Sequence, residues 1–188
     1  MNSYKVLTNQ IFSIDAFSIV PIRYEDRMEI LKWRNEQIYH LRQDKLLIES
    51  DQEYYFNNVV NKLFDQEKPN QLLFSFIKNG LCIGYGGLVH INWNDKNAEI
   101  SFIMDNELEK KYFSTNWEIF LKLIEKVAFI ELKFHKIFTF AFDLRPHLYV
   151  PIENSGFVKE AELKEHYFFN GTYIDVIIHS KFNTREQL

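Results

Sequence analysis

The sequence predicts one mixed α/β domain. Three observations lead to this prediction: segments with strand and helix periodicity alternate along the chain, two Asn-Gly pairs separate neighbouring strand-like runs, and no linker or low-complexity tract interrupts the 188 residues. A chain of this length is long enough for one domain with a hydrophobic core and too short for two domains of ordinary size. Its eighteen Phe and ten Tyr predict a bulky aromatic core or a wide apolar groove.

Composition excludes several classes of function. The formal net charge of -4 argues against nucleic acid as the main partner, because phosphate binding requires a basic face. Cys82 is the only cysteine, so neither a disulfide framework nor a thiolate zinc site is expected, and the six histidines lack metal-ligand spacing. We therefore expect no metal. No apolar stretch approaches membrane-spanning length, which predicts a cytoplasmic protein without a membrane partner.

The first half of the chain predicts one strand and two helices after a weakly patterned start. Residues 1–15 are an extension or an extra strand, and Ala16–Arg23 is a strand in which Pro21 indicates an edge position. Apolar residues at helical spacing predict a helix over Tyr24–Asn35. A second helix starts near Ser50, where Ser-Asp-Gln-Glu forms a capping box.

The second half predicts a three-stranded meander followed by helix, strand, helix and two strands. Asn79-Gly80 and Asn170-Gly171 are the hairpin turns, and Gly156 ends the last helix. The domain spans residues 16–182, with a tail over 183–188. The predicted elements are strands Leu72–Lys78, Leu81–Trp93 and Asn97–Met104, helix Thr115–Leu132, strand Lys136–Phe142, helix Pro146–Ser155, and strands Phe157–Phe169 and Thr172–Phe182.

Local residues in this order carry a family resemblance. Glu99 lies in the third meander strand, the run from Ala128 to Ile137 looks like the end of a coenzyme-binding helix, and Asn154–Phe157 looks like a helix-to-strand corner. Over roughly residues 16 to 182 the chain resembles the GNAT superfamily of N-acetyltransferases. The tail Glu160–Lys164, followed by Gly171, Asp175 and Ser180, resembles the branch that acetylates ribosomal protein N-termini. Ile30–Asn35 is similar to enzymes that acetylate amino sugars on nucleotides.

The resemblance implies a fold, a co-substrate and a reaction. A single GNAT-type domain has a mixed, mostly antiparallel central sheet flanked by helices, and it moves an acetyl group from acetyl-CoA to a primary amine. The first expectation for the acceptor is an amino sugar on a nucleotide carrier in surface polysaccharide biosynthesis. The alternatives are a protein N-terminus, a small amine, or a catalytically silent GNAT-fold binding protein. The expected assembly is a monomer or homodimer.

One segment departs from the family. GNAT proteins cradle the coenzyme pyrophosphate with a glycine-rich loop at the start of the long helix, and the matching residues here, Tyr112–Trp117, contain no glycine. Glycine permits close backbone approach, so bulkier residues threaten the site. Ser114, Thr115 and Asn116 offer hydroxyl and amide donors that partly compensate for the missing glycines, and Lys110 and Lys111 lie just upstream. The alternative is plain capping of a helix by Thr115. The cofactor-binding candidates in this segment are Ser114, Thr115, Asn116 and Trp117.

Glu99 and His90 are the candidates for the base that takes a proton from the amine. If Asn94-Asp95 is a two-residue turn, or if a four-residue loop keeps the same register, His90 lies directly opposite Glu99 on the neighbouring strand. Carboxylate and imidazole then perturb each other's pKa. The alternative is a surface pair that contributes only about 0.2–1 kcal/mol.

The remaining candidates follow from the resemblance. The family's pantetheine strand corresponds to Phe102, Ile103 and Met104. Ile152 stands where many members place a tyrosine acid, so Tyr149, one helical turn earlier, is the substitute. Arg145 stands where the ribosomal-type branch has an asparagine that contacts the coenzyme. We expect Arg145 either to contact a phosphate or to lie at the start of a helix without a binding role. The acceptor-pocket candidates are Trp33, Arg34, Asn35, His40 and Arg42. For Trp33 a core position is the stronger interpretation.

Overall fold

The computed structural model describes residues 2–184, which form one eight-stranded sheet with helices on its faces. The strand order is β1-β2-β3-β4-β5-β6-β8-β7, antiparallel throughout except for the parallel β5–β6 pair. The strands are β1 (Phe12–Ile14), β2 (Phe17–Pro21), β3 (Leu72–Lys78), β4 (Leu81–Asn92), β5 (Asn97–Met104), β6 (Lys136–Phe142), β7 (Val158–Phe169) and β8 (Thr172–Phe182). The helices are α1 (Arg27–Glu36), α2 (Glu49–Tyr55), α3 (Asn61–Leu63), α4 (Asn106–Glu125) and α5 (Tyr149–Asn154).

The predicted α/β class and sheet type are confirmed, and four of the strands begin and end where the sequence predicts. Both Asn-Gly turns have positive φ at both residues: 50° and 82° at Asn79 and Gly80, and 48° and 83° at Asn170 and Gly171. This is the geometry of a type I′ hairpin, whose twist matches that of the flanking strands. Gly156 also adopts positive φ, +83°, where α5 ends.

The helix starts differ from the predictions. The α2 helix begins at Glu49, and the Ile48 N–H donates to Asp51 Oδ2 at 3.2 Å, so Ser50 is not its N-cap. The α4 helix begins at Asn106, nine residues before the predicted start at Thr115. Asp105 caps it by accepting from the Glu107 and Leu108 N–H groups at 2.9 and 3.0 Å. The prediction failed because a real N-cap further upstream already satisfies the helix start.

A kink divides α4 at the position where the family has its glycine-rich loop. Tyr112 has φ -133° and ψ 15°, outside the helical region, and the helix resumes at Phe113. Two segments of π-helix, Phe56–Val60 and Lys126–Glu131, also interrupt regular α-helix, between α2 and α3 and after α4. The kink leaves Ser114 and Thr115 exposed on the first turn after the break.

The chain ends are attached to the domain as far as they are described. Tyr4 is buried, and its hydroxyl donates to the Leu73 carbonyl and accepts from the Leu73 N–H at 2.8 and 2.9 Å. Asn183, the first residue of the predicted tail, is buried and donates to the Phe134 carbonyl, in the segment between α4 and β6, at 3.1 Å. Residues 185–188 of that tail lie outside the described residues.

The opening that positions the site lies between β5 and β6. These parallel strands pair only over Asn97–Glu99 and Lys136–Phe138, and they separate beyond Glu99. On one face, aromatic rings of α4 pack on β5, with Trp117 stacked on Phe102 at 5.0 Å between ring centroids. Because side chains alternate across a strand, Glu99 projects from the opposite face. The aromatic residues therefore form the core on the α4 face of the sheet, and the gap between β5 and β6 connects that face with the Glu99 face.

No helix within residues 2–184 is long and apolar enough to cross a membrane.

Candidate active site

A cleft of about 370 Å³ occupies the opening between β5 and β6. We call it the central cleft. The α1–α2 connection contributes one wall, the β4 and β5 strands a second, and β6 with the segment after it a third. Its polar and charged lining includes Arg34, His40, Arg42, His90, Glu99, Ser101, Thr139 and Arg145, and its apolar lining includes Phe102, Trp117, Phe140, Leu148 and Ile152. The central cleft therefore combines one carboxylate with three guanidinium groups.

Glu99 is the buried acid of this cleft. It is only 6% exposed and forms an ion pair with Arg42, whose guanidinium also lies 4.9 Å above the Phe140 ring. Burial raises the pKa of Glu99 above its usual range, while the charges of Arg42 and His90 oppose that rise. A carboxylate with a raised pKa is a stronger base than an exposed one, which suits it to accept a proton from an amine.

His90 lies next to Glu99, although the predicted register was wrong at this point. Asn92 pairs with Asn97 across a four-residue loop, one of the two lengths compatible with the predicted register, but a bulge follows, and Val89 rather than His90 pairs with Glu99. The bulge is visible in the positive φ of His90, 49°. His90 Nε2 is nevertheless 3.9 Å from Glu99 Oε2, with a mostly exposed imidazole. The bulge thus keeps the two side chains close by a different backbone path.

Arg145 is the centre of a second charged cluster at the cleft. It is buried, and its Nη2 donates to Glu109 Oε1 at 2.6 Å while its Nη1 lies 2.9 Å from His40 Nε2. Burial, and then the positive charge of Arg145, lowers the pKa of His40 to about 3, so this imidazole is neutral at physiological pH. Arg145 also lies 5.3 Å from the Phe113 ring centroid. It stands between the central cleft and the kink in α4.

A second cleft of about 540 Å³ lies at the kink, and we call it the helix-end cleft. Its lining includes Lys110, Lys111, Tyr112, Phe113, Ser114, Thr115 and His147. Ser114 and Thr115 offer exposed hydroxyl groups and the lysines offer positive charge, all suited to phosphate. Phe113 lines the cleft but is itself buried, with its ring centroid 6.4 Å from that of Trp117. Glu36 and Glu109 also line this cleft, and Lys110 is paired with Glu107 at 2.6 Å, so Lys111 and the two hydroxyl groups are the part of the lining suited to a diphosphate.

Several sequence candidates lie away from both clefts. Trp33 is buried and its indole donates to Asp105 Oδ2 at 3.3 Å, which matches the core interpretation. Asn35 binds the backbone of Leu47 through both its amide oxygen and nitrogen, at 2.9 and 2.8 Å. The Tyr149 hydroxyl donates to Asp143 Oδ1 at 2.6 Å, and its ring stacks on His179. Asn116 is buried outside the lining of either cleft.

The expected pantetheine strand is only partly available. Phe102 lines the central cleft, whereas Ile103 and Met104 are buried and do not. The Met104 carbonyl already accepts from Gln37 Nε2 at 2.7 Å, so the free edge of β5 is shorter than the resemblance implied. Sequence reasoning missed Gln37 because nothing in a single sequence shows which side chain will reach a strand edge.

The structure adds cleft residues that the sequence did not single out. Thr139 and Phe140 lie on β6 beyond Phe138, the last β6 residue paired with β5, and Glu109 is the partner of Arg145. Alternation along β6 would have placed Thr139 and Phe140 on opposite faces. Finding them required knowing where β5 and β6 separate, which no sequence pattern marks.

A family model described as "Acetyltransferase (GNAT) domain" matches residues 19–178. The chain belongs to the GNAT acetyltransferase family. The expected GNAT fold and acetyltransferase class are confirmed at the level of the family. The chain is also 34% identical over 115 residues to the spermidine N(1)-acetyltransferase of Vibrio cholerae serotype O1, an alignment that covers 56% of this chain and 61% of that relative. The match thus spans less than two thirds of the relative's length.

Solved structures with the same fold include relatives of that enzyme. A spermidine N-acetyltransferase from Vibrio cholerae in complex with CoA and spermine superposes with a TM-score of 0.79 at 21% identity, covering 91% of this chain and 98% of the other. A structure of the Vibrio cholerae enzyme described as dodecameric has a TM-score of 0.74 at 21% identity, covering 93% and 98%. At this identity the likeness establishes the shared GNAT fold.

Proposed function

We propose that this GNAT domain transfers the acetyl group of acetyl-CoA to a small primary amine, with Glu99 as the base. The observation that carries the proposal is the position of Glu99. It is the last residue of β5 paired with β6, so its carboxylate lies where the two strands begin to separate. A co-substrate laid along the free edge of β5 would bring its reactive end towards this point.

The proposed reaction needs few protein groups. The amine gives a proton to Glu99, directly or through water, and its nitrogen then attacks the thioester carbonyl carbon. Backbone N–H groups of the free β5 edge stabilise the negative charge that develops on the carbonyl oxygen. Arg42 orients the Glu99 carboxylate through the ion pair between them. His90, being exposed beside Glu99, passes the proton to solvent.

The coenzyme would use both clefts. Its diphosphate would bind at the helix-end cleft through Ser114, Thr115 and the neighbouring lysines, and its pantetheine arm would reach the central cleft beside Trp117. Arg145 lies between the two clefts and is bound to Glu109 and His40. A guanidinium in this place would contact the phosphate side of the arm by exchanging its carboxylate partner for a phosphate oxygen.

The relatives support a small amine as the acceptor, since those named above act on spermidine. One observation favours the nucleotide-linked amino sugar as a second candidate. The guanidinium groups of Arg34 and Arg42 line the central cleft against the single carboxylate of Glu99. A positively charged wall attracts a diphosphate and repels a polyamine.

A thiol-release assay with a panel of acceptors tests this function. We expect release of CoA with at least one of spermidine, spermine, an N-terminal peptide or a nucleotide-linked amino sugar. Glu99→Gln should lower kcat by about 10²- to 10⁴-fold. Glu67→Gln, at a largely exposed carboxylate paired with Lys5, is the matched control and should leave kcat unchanged. An inactive wild-type protein that still binds CoA would favour the silent binding protein instead. Light scattering of the same sample tests the predicted monomer or homodimer.

A further inference from the structure

Three buried polar atoms on the central cleft have no hydrogen-bond partner among residues 2–184. They are Trp117 Nε1, Thr139 Oγ1 and Arg145 Nε, in residues that are 4%, 5% and 6% exposed. A buried donor without a partner costs free energy, and native structures contain few of them. Three around one cleft indicate a ligand that supplies acceptor atoms there.

Thr139 occupies the most informative of these positions. It is the residue that follows Phe138, the last β6 residue paired with β5, so it lies at the narrow end of the opening. It pairs with His179 of β8, whose ring stacks on Tyr149 of α5, which places the Thr139 side chain on the sheet face covered by α4 and α5. Glu99 lies at the same end of the opening and projects from the other face.

This arrangement divides the reaction between the two faces of the sheet. The amine must approach the carbonyl carbon from the Glu99 side to lose its proton there. The coenzyme sulfur then leaves from the side of α4, where Trp117 lies. On this side, many members of the family have a tyrosine acid at the position that Ile152 occupies here. Ile152 lines the cleft, but its side chain has no hydrogen-bond donor. Ser101 also lines the cleft, but alternation along β5 places it on the Glu99 face.

We propose that the Thr139 hydroxyl donates a hydrogen bond to the coenzyme sulfur as it leaves. The inference rests on the proposed acetyl transfer and names the group that assists its second half. The N–C bond forms, the C–S bond breaks, and the electron pair of that bond departs on sulfur. Glu99 takes one proton of the ammonium group before attack, the nitrogen releases its second proton to solvent as the C–S bond breaks, and the thiolate later takes a proton from solvent. Thr139 itself neither gains nor loses a proton, since its hydroxyl is a far weaker acid than a thiol.

The test compares Thr139→Val, which keeps the shape and removes the hydroxyl, with Thr139→Ser, which keeps it. With any acceptor that the wild-type protein acetylates, valine should lower kcat about 10- to 100-fold, as expected for a hydrogen bond to a charged atom, and serine should retain most of the rate. The Tm of the unliganded valine variant should equal or exceed that of the wild type, because an unpartnered hydroxyl is replaced by a methyl group.

A second readout does not depend on the acceptor. The ultraviolet absorbance of the thiolate reports the pKa of CoA bound to each protein. Donation from Thr139 stabilises the thiolate, so the bound thiol should titrate about one to two pH units lower in the wild type than in Thr139→Val. Equal thiol titration and equal kcat in these two proteins would overturn the role of Thr139 while leaving the proposed function intact.

Two other outcomes are also decisive. A water molecule between Thr139 Oγ1 and His179 Nδ1, which likewise lacks a partner among the described residues, would make the hydroxyl structural. Valine would then lower the Tm without moving the thiol titration, and the inference would fail. If calorimetry detects no binding of CoA to the wild type, the proposed function falls together with the inference.

Discussion

At the scale of single residues, burial and neighbouring positive charge shift the pKa of Glu99 in opposite directions. Its carboxylate is removed from water, which raises its pKa, and the facing Arg42 guanidinium lowers it again. The balance leaves the pKa raised. A base must be ionised to accept a proton, so the rate of acetyl transfer should increase with pH through the pKa of Glu99 and be lost on the acid side.

Removing Arg42 should move this acid limb. Arg42→Met deletes the charge that lowers the pKa of Glu99, so the limb of kcat/KM against pH should shift to higher pH, and the rate at a fixed acidic pH should fall. Arg42→Lys keeps a positive charge and should leave the limb close to its wild-type position. The measurement is a pH profile of thiol release under saturating acetyl-CoA. A methionine variant with an unmoved limb would show that another group is the base.

The raised pKa of Glu99 also predicts a change in stability. The folded state binds the Glu99 proton more tightly than the unfolded state, so this group contributes stability below its unfolded pKa and loses that contribution as pH rises through the folded pKa. At neutral pH the ionised carboxylate therefore lowers the free energy of unfolding. Glu99→Gln should match or exceed the wild-type Tm at neutral pH, and the difference should shrink below a pH of about 4. A variant that is less stable at neutral pH would contradict a raised pKa.

At the scale of elements, α1 and the connection that follows it supply one arginine each to the wall of the central cleft, Arg34 and Arg42. Asn35 fixes the connection by holding both backbone groups of Leu47, and Gln43 accepts from Arg34 Nε at 3.0 Å. Asn35 and Gln43 do not line the central cleft themselves. The positions of the arginines that line it therefore depend on side chains outside the lining.

Substituting Asn35 tests this dependence. Asn35→Ala removes both hydrogen bonds to Leu47 and should lower the free energy of unfolding by about 1–3 kcal/mol. KM for the acceptor should rise, because Arg34 and Arg42 lose their fixed positions. Asn35→Asp keeps the acceptor for the Leu47 N–H and should be intermediate. Urea denaturation and steady-state kinetics check both effects. An unchanged KM in a destabilised alanine variant would separate the connection from substrate binding.

The elements also show what a single sequence can predict. Strand periods and the two Asn-Gly turns are local signals, so β3, β5, β6 and β8 were predictable to the residue. The bulge at His90 and the kink at Tyr112 are each one backbone distortion imposed by packing, with no local signal. Cleft residues from different elements, such as Glu109 with Arg145, were unpredictable for the same reason. The resemblance located Glu99, but only the strand separation explains its position.

At the scale of the whole molecule, the two clefts divide the coenzyme into a phosphate part and a thiol part. The helix-end cleft has lysines and hydroxyl groups in place of a glycine cradle, and the central cleft has the buried donors. A phosphate held by exposed lysines contributes a salt-sensitive interaction. A pantetheine arm held by buried donors contributes an interaction that salt affects little.

This division predicts that substitutions in the helix-end cleft weaken the binding of CoA alone. Substitutions in the central cleft should weaken the binding of both CoA and pantetheine, which lacks the phosphates. Replacing Lys110 and Lys111 together by glutamine should weaken CoA binding about tenfold at low salt, from the loss of two surface charges, and leave pantetheine binding unchanged. Trp117→Phe keeps the ring against Phe102 and removes the indole N–H, so it should weaken both ligands by a similar factor at any salt concentration. Ligand-induced increases in Tm measure both affinities. If the lysine variant loses pantetheine as well, the helix-end cleft is not the phosphate site, and the kink in α4 does not replace the missing glycines.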